Sequence, residues 1–214
     1  MPVIISGTDN FVLNADTLGT AAAGAFDYDG KVFYATPQGT QRGVVPGAQF
    51  FRLNSALVGS NVNTAQNVLG VGVTLSSSTV YAFEAIYGFS KTAGTTAHTL
   101  GLGFGGTATI NNIGYWGLQE LEPSFAYTGT AGNIGSFYTQ TAANTLSGQS
   151  TTTATVTRLI RIAGTVSINA GGTFIPQYTC SAAPGGAYTT ALGSYFLIYP
   201  IGASGANVNV GTWA

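Results

Sequence analysis

The alternation of apolar with small or polar residues is the feature that most limits how this chain can fold. The segment 79–91, TVYAFEAIYGFSK, has five apolar residues at every second position: Tyr81, Phe83, Ala85, Tyr87 and Phe89. Successive side chains of a β-strand point to opposite faces of the sheet. The segment therefore predicts a strand with one aromatic face, and Glu84 falls on the other face.

Similar short runs continue to the C-terminus, separated by Gly, Ser, Asn and Pro, which is typical of an all-β protein. We expect about eight to ten strands between residues 42 and 214, arranged as a two-sheet antiparallel β-sandwich of the jelly-roll type. The segment 151–172 predicts one long bent strand, or two strands divided at Gly164. The segment GSYFLIYPIG predicts a strand that ends at Pro200.

The first 41 residues differ from the rest because they contain too few large apolar residues for a core of their own. After a short β-like start they include the run GTAAAGA, which consists of small residues. We interpret residues 1–41 as an extended N-terminal arm whose order depends on what it lies against. Residues 42–214 are then the sandwich domain.

The chain carries few charges, since 6% of its residues are Asp, Glu, Lys or Arg, against about 25% in an average soluble protein. Six scattered Lys and Arg residues form no basic stripe, so we expect no nucleic-acid partner. No apolar run is long enough to span a membrane and no secretory signal is visible, so we expect no membrane partner. Low charge suits a protein fixed in an assembly better than a free enzyme.

Two arginines are the only charged residues after Glu122, and they have opposite parity in the predicted strand. Arg158 shares its parity with Val156, Ile160 and Ile162, whereas Arg161 does not. We expect one of the two arginines to face inward or towards a partner. Both are candidate contacts with another subunit or with another protein.

The chemical motifs point away from catalysis. The run GLGFGG matches a dinucleotide fingerprint, but a β-like segment follows it where a helix would be needed. The carboxylate pairs Asp27/Asp29 and Glu120/Glu122 have a spacing that suits two acids on one strand face, yet their surroundings indicate turns and a strand end. We expect no enzyme activity and no cofactor, and a Ca²⁺ ion at the paired aspartates remains an open alternative.

The single histidine and the single cysteine complete the search for reactive groups. His98 lies at the entry to a strand, where a hydroxyl partner explains it better than a catalytic role. Cys180 has no basic neighbour in the sequence, which favours a small buried side chain over a reactive thiol. One His and one Cys are too few for a structural zinc site.

The segment 28–47, YDGKVFYATPQGTQRGVVPG, links the arm to the sandwich. Asp29-Gly30 is a favoured turn dipeptide, residues 31–35 suit a short pairing strand, and Pro37 marks a connector. The charged residues of this segment, Asp29, Lys31 and Arg42, are candidate contacts with a neighbouring subunit or another protein.

Long strings of the sequence resemble structural proteins of marine tailed bacteriophages, above all of cyanophages. They are YDGKVFYATPQGTQRGVVPGAQFFRLN, GVGVTLSSSTVYAFEAIYGFSKTAGTTAHTLGLGFGGTATINNIGY and the C-terminal block that closes with VGTWA. The resemblance covers roughly residues 26–214 and brings no catalytic residues with it. It implies a virion protein on the particle exterior, made in the host cytoplasm, with a jelly-roll head of the kind that forms trimers.

Two functions follow as expectations from this resemblance. The first is a trimeric capsid decoration (cement) protein that contacts the major capsid protein, or another virion protein, through its N-terminal arm. The second is a tail or neck fibre tip that binds a host-surface glycan, with Tyr115, Trp116 and Tyr127 as candidate stacking residues. Core packing is the alternative role of those three aromatic residues.

Overall fold

The computed structural model describes residues 13–15, 17–122, 133–143, 145–205 and 207–213. Within this part of the chain every regular element is a β-strand, so no helix there could cross a membrane. The strands are β1 (Phe26–Tyr28), β2 (Phe33–Ala35), β3 (Gly43–Val45), β4 (Gln49–Arg52), β5 (Leu57–Val58), β6 (Gln66–Asn67), β7 (Val73–Leu75), β8 (Thr79–Lys91), β9 (His98–Gly105), β10 (Thr109–Glu122), β11 (Asn133–Thr139), β12 (Thr145–Thr151), β13 (Val156–Ala170), β14 (Gly172–Cys180), β15 (Thr189–Thr190) and β16 (Tyr195–Ala203).

The strands form two large antiparallel sheets and one small sheet. The main sheet has eight strands: β11, β10, β13 and β8 lie side by side, and β8 then pairs with β16 along most of its length and with β15 near its end. β4 pairs with β16, and β5 pairs with β15. The second sheet has the order β12-β9-β14-β6, with β7 also paired to β14. All these pairings confirm the predicted all-β, antiparallel sandwich.

The core lies between the two large sheets and is built largely of aromatic rings. Phe83 of the main sheet meets Phe104 of the second sheet with ring centroids 5.2 Å apart, and Phe104 stacks on Phe174 at 4.4 Å. The five apolar side chains that the sequence pattern places on one face of residues 79–91 are all buried. Burial of these rings, together with the Leu, Ile and Val side chains packed among them, holds the two sheets together.

The strand pattern confirms a single long strand across Gly164, which is one of the two predicted alternatives, and differs from the sequence prediction in the number of strands and at Pro200. The described part of residues 42–214 contains fourteen strands rather than eight to ten, although only eight of them have seven residues or more. Strands of two to four residues carry too little alternation to be seen in a sequence. β13 is one continuous strand through Gly164, and β16 runs past Pro200, where the register shifts.

Residues 26–45 form a small sheet of their own, in the order β1-β2-β3. β3 pairs with β2, so the predicted boundary between residues 41 and 42 falls inside this sheet. Asp29 holds the turn before β2, because its Oδ1 accepts hydrogen bonds from the backbone N–H groups of Lys31 and Val32 at 2.8 and 2.7 Å. This part of the predicted arm is therefore folded rather than extended.

Candidate interaction face

The strand register aligns the side chains of the main sheet into rows across six strands. One row on the side away from the core contains Tyr138, Trp116, Ala163, Glu84, Leu197 and Phe50. The next row contains Ser136, Leu118, Arg161, Ile86, Tyr195 and Arg52. Residues that face each other in a sheet share one side of it. We call the surface made by these two rows the outer face.

The outer face is apolar over most of its width and is open to solvent. Trp116, Leu118, Tyr138 and Phe50 are all exposed, and Phe50 lies against Tyr195 with ring centroids 5.3 Å apart. No described strand outside the main sheet pairs with it through backbone hydrogen bonds. Large contiguous apolar patches on a soluble protein mark sites of interaction. The outer face is thus the main candidate interaction surface of the described chain.

Three charged side chains belong to the two rows of the outer face. Arg52 donates a hydrogen bond from Nη1 to Asn54 Oδ1 at 2.7 Å. Glu84 and Arg161 lie diagonally across β8 and β13, and neither forms an ion pair with a described side chain. One negative and one positive group therefore remain available to a partner within an otherwise apolar surface.

A shallow depression of about 390 Å³ opens in the middle of the outer face. It exists because Ala82 and Ala163 are small, whereas Leu197 and Tyr199 rise beside them. Glu84 also lines it, and Trp116 lies next to Ala163 in the strand register. Its volume falls within the range of about 300–1,000 Å³ that is usual for small-ligand sites.

The three aromatic residues considered for glycan stacking have different positions. Trp116 lies on the outer face and is 45% exposed. Tyr115 is only 1% exposed and packs edge-on against Phe104 and Phe137, so the expectation that it could stack on a sugar is wrong. Adjacent residues of a strand face opposite sides, so β10 could expose only one of the two. Tyr127 lies outside the described residues.

The two arginines considered as partner contacts also lie on opposite sides of the main sheet. Arg161 is exposed on the outer face. Arg158 is completely buried, with its Cα opposite Phe89 on β8, so it cannot contact another subunit or a capsid protein. The inward position agrees with the prediction that one of the pair faces inward, and it corrects the assignment of Arg158 as a surface contact.

The charged residues of the linking segment are engaged within the chain. Arg42 forms an ion pair with Asp27 at 3.1 Å and donates a hydrogen bond from Nη2 to the carbonyl of Gly19 at 2.9 Å. Lys31 donates from Nζ to the carbonyl of Ser77 at 3.0 Å, which ties the small sheet to the sandwich. Asp29, besides capping its turn, accepts a hydrogen bond from the Tyr34 hydroxyl at 2.9 Å.

A second, smaller apolar surface lies on the small sheet. Phe33 stacks on Tyr28 with ring centroids 4.6 Å apart and on Phe26 at 5.8 Å, and both phenylalanines are exposed. Val32 and Tyr34 alternate with Phe33 and are buried. We call the three stacked rings the aromatic ladder.

The described residues that were considered for catalysis have structural positions or partners within the chain. His98 Nε2 is hydrogen-bonded to the Tyr188 hydroxyl at 2.8 Å, which confirms the predicted hydroxyl partner. Cys180 is buried, as predicted. The GLGFGG run lies in and just after β9, with no helix behind it. Within the described residues no group of three His, Cys, Asp or Glu side chains could hold a metal ion. Asp27 and Asp29 each have protein partners, and the side chains of Glu120 and Glu122 lie outside the described set.

Sequence reasoning missed several residues of the outer face, notably Tyr138 and Phe50. Tyr138 follows Phe137 directly, and Phe50 precedes Phe51, so each is one of two adjacent aromatic residues. Two neighbours on a strand face opposite sides, so such a pair signals that at least one ring lies away from the core. Tyr138 is exposed beside the half-buried Phe137, whereas Phe50 and Phe51 are both exposed. The chain matches no known protein-family model and no curated protein.

Proposed function

We propose that this protein is a non-enzymatic structural protein of a phage particle, most specifically a capsid decoration protein that associates with copies of itself into trimers. The observation that carries the proposal is the outer face, an apolar surface six strands wide with only three described charges in its two rows. A surface of this kind is stable in water when another protein covers it. The resemblance to marine phage structural proteins supports the same assignment.

The low charge of the chain supports a permanent place in an assembly. A free protein of this size depends on surface charge to stay dispersed, whereas a subunit held by neighbours does not. Closed symmetric association would cover the outer face of every copy at once. Glu84 and Arg161 would then select the orientation of the contact, since like charges brought together oppose it.

The aromatic ladder is a second proposed contact, with the major capsid protein or another virion protein. Phe26, Tyr28 and Phe33 lie immediately after the first 25 residues, and Lys31 fixes this small sheet to the sandwich. A contact made here is transmitted to the whole domain. Binding only to assembled capsid subunits would stabilise the assembled form by mass action.

The test of this function uses purified phage heads that lack the protein. We expect added protein to bind these heads and to raise the temperature at which they release DNA. Variant Phe33→Ser should weaken head binding but leave trimers intact, whereas Trp116→Lys should abolish trimers. Heads that gain no heat resistance, together with adsorption of the protein to host cells, would overturn the decoration role.

The N-terminal arm is tested by deletion of residues 1–25, which ends before β1. We expect the shortened protein to fold, because the small sheet and the sandwich remain complete, and to bind heads more weakly. Binding equal to that of the full chain would reject an anchoring role for these residues.

A second candidate function is recognition of a host-surface glycan, and the depression of the outer face favours it. The side chain of Trp116 is exposed beside the small residue Ala163, and the carboxylate of Glu84 lies in the depression. Aromatic rings stack on the apolar faces of sugars, and a carboxylate accepts hydrogen bonds from sugar hydroxyls. In this role the outer face stays open in the mature particle.

Glycan binding is separated from self-association by one comparison. If sugars bind in the depression, Glu84→Gln should lower the affinity for glycans extracted from host surfaces, and oligomeric state should not change. If the outer face is a subunit contact, trimers form and no glycan binds to them. Titration of host glycans into the protein, followed by calorimetry, distinguishes the two.

A further inference from the structure

One end of the core contains a cluster of buried polar side chains that the outer face does not involve. Its members are Lys91, His98, Arg158, Cys180 and Tyr188, each at most 2% exposed. The first four lie near the ends of β8, β9, β13 and β14, on both large sheets. The cluster is thus enclosed between the sheets, within the domain itself.

Lys91 has its full complement of partners. Its Nζ donates to the carbonyls of Gly94 and Thr153 at 2.7 Å each, and those of Ala93 and Ala154 lie at 3.1 and 3.3 Å. These carbonyls belong to the loops before β9 and before β13. Lys91 therefore holds the two loops together and closes this end of the sandwich, yet every partner is neutral and its positive charge is not balanced.

The hydrogen bonds of His98 define its protonation state. Nδ1 lies 2.7 Å from the carbonyl of Thr96, which can only accept, so Nδ1 carries the hydrogen. Burial lowers the pKa of His98, and so do the charges of Lys91 and Arg158. The neutral ring then accepts at Nε2 from the Tyr188 hydroxyl at 2.8 Å. The Tyr188 oxygen is left with its lone pairs free to face a cation.

Arg158 is the unusual member of the cluster. All three of its guanidinium nitrogens are buried, and none has a hydrogen-bond partner with proper geometry among the described residues. The Tyr188 hydroxyl is near enough to favour the charged form, but burial dominates and lowers the pKa of Arg158. A guanidinium group has five N–H donors, and leaving them unpaired in a protein interior is costly.

The described cluster contains two cations and no carboxylate. Asp27 and Asp29 belong to the small sheet, and Glu84 lies on the outer face. The Arg158 charge acts on Lys91, and burial raises the pKa of Cys180 to about 11 and that of Tyr188 to about 12, so both of these groups are neutral at pH 7. Buried charges in proteins are ordinarily paired. The interior thus has unpaired donors and an excess of positive charge at the same place.

We propose that the Arg158 guanidinium binds a small monovalent anion of the halide class, chloride in physiological solution, inside the sandwich. The anion accepts hydrogen bonds from the free guanidinium N–H groups and offsets the charges of Arg158 and Lys91. Complete enclosure of the cluster favours a monatomic ion over sulfate or phosphate. The ion contributes to the stability of the domain and takes no part in contacts with other proteins.

The direct test is crystallography of the full chain grown with sodium bromide in place of sodium chloride. We expect an anomalous difference peak within hydrogen-bond distance of the Arg158 guanidinium group. Electron density that refines as water at full occupancy, with no anomalous signal, would overturn the proposal.

A solution test compares thermal unfolding in chloride, bromide, sulfate and gluconate at equal ionic strength. We expect a higher Tm in chloride or bromide than in gluconate, because an anion that binds only the folded state stabilises that state. Arg158→Met removes the site and should abolish that rise. Arg161→Met is the matched control, because it also removes one positive charge, but from the outer face. This variant should keep the rise in Tm.

General effects of salt on stability are the same for the two variants, so they cancel when the chloride responses of the variants are compared. An equal chloride response in Arg158→Met and Arg161→Met would contradict the proposal. If Arg158→Met does not fold, the bromide experiment on the natural chain decides the question by itself.

Discussion

Both sides of the main sheet have large apolar side chains, but these side chains have different surroundings. Tyr115 and Trp116 are neighbours on β10, yet Tyr115 packs among rings of the core while Trp116 faces solvent. The inner side packs against the second sheet, whereas Trp116, Leu118, Tyr138 and Phe50 of the outer face are exposed. Apolar character alone therefore does not distinguish side chains of the core from exposed side chains on the outer face. The strand register decides which side chains lie on which side of the sheet.

Under the proposed function, one side of the sheet provides stability and the other provides association. Rings on the inner side have contacts that exist as soon as one chain folds. Rings on the outer face gain contacts only when a second molecule arrives. Paired substitutions at matched positions on the two sides test this division.

The largest expected effect is that of Tyr115→Ala compared with Trp116→Ala. Removing the Tyr115 ring leaves a cavity beside Phe104 and Phe137, and we expect a loss of about 3–5 kcal/mol in the free energy of unfolding. Trp116→Ala should change the stability of the monomer by no more than about 0.5 kcal/mol. Urea unfolding at low protein concentration measures both, and similar losses for the two variants would contradict the division.

Two glycines provide a finer version of the same comparison. A Cβ atom on Gly164 would lie 2.4 Å from both the Gly114 carbonyl oxygen and the Tyr115 Cβ, which are fixed atoms. A Cβ atom on Gly114 would meet only the Tyr138 hydroxyl, at 3.2 Å, which can move. We expect Gly164→Ala to cost about 1–3 kcal/mol and Gly114→Ala to be nearly neutral. Urea midpoints that are equal for the two variants would reject this.

Acid should destabilise the domain through His98. Burial lowers its pKa in the folded state, whereas the unfolded chain has a histidine pKa of about 6.5. The unfolded state therefore binds the proton more readily, so stability is full above about pH 6.5 and falls as pH drops towards the lower folded pKa. The facing groups Lys91 and Arg158 add repulsion to the protonated ring.

The chain has one histidine, so the slope of stability between pH 7.5 and 5.5 reports on this residue. Urea midpoints measured across that interval should fall for the natural chain and stay level for His98→Gln. A slope that survives in the variant would assign the effect to other groups.

The smallest effect concerns Cys180, whose thiol should be unreactive in the folded protein. Burial raises its pKa to about 11, although Arg158 and Lys91 act in the opposite direction. We expect no reaction with a thiol reagent at pH 8 and reaction of one thiol per chain after unfolding. Fast labelling of the folded protein would mean that this end of the sandwich opens.

The sequence was sufficient for the fold class and for the inner face of β8. Alternation over residues 81–91 determines which side chains share a face. It also extends to Lys91, which has the parity of Phe89, so the burial of this lysine could have been predicted from the same pattern. Arg158 has the parity of Val156 and Ile160 and could have been placed inside by the same argument.

Register across strands could not be predicted, because it depends on contacts between segments far apart in the chain. The pair Tyr115-Trp116 shows this limit, since either residue of an adjacent pair can face the core. The outer face is assembled from six strands whose alignment no local pattern specifies. The short strands β4 and β15 were likewise invisible, because two to four residues have no measurable period.

The most direct test of the outer face as an association surface is sedimentation equilibrium of Trp116→Lys beside Trp213→Lys. Both of the chain's tryptophans are exposed, but only Trp116 lies on the outer face. We predict trimers for the natural chain and for Trp213→Lys at micromolar concentration, and monomers for Trp116→Lys. A natural chain that is monomeric under these conditions, or a trimer that Trp116→Lys leaves intact, would contradict the account.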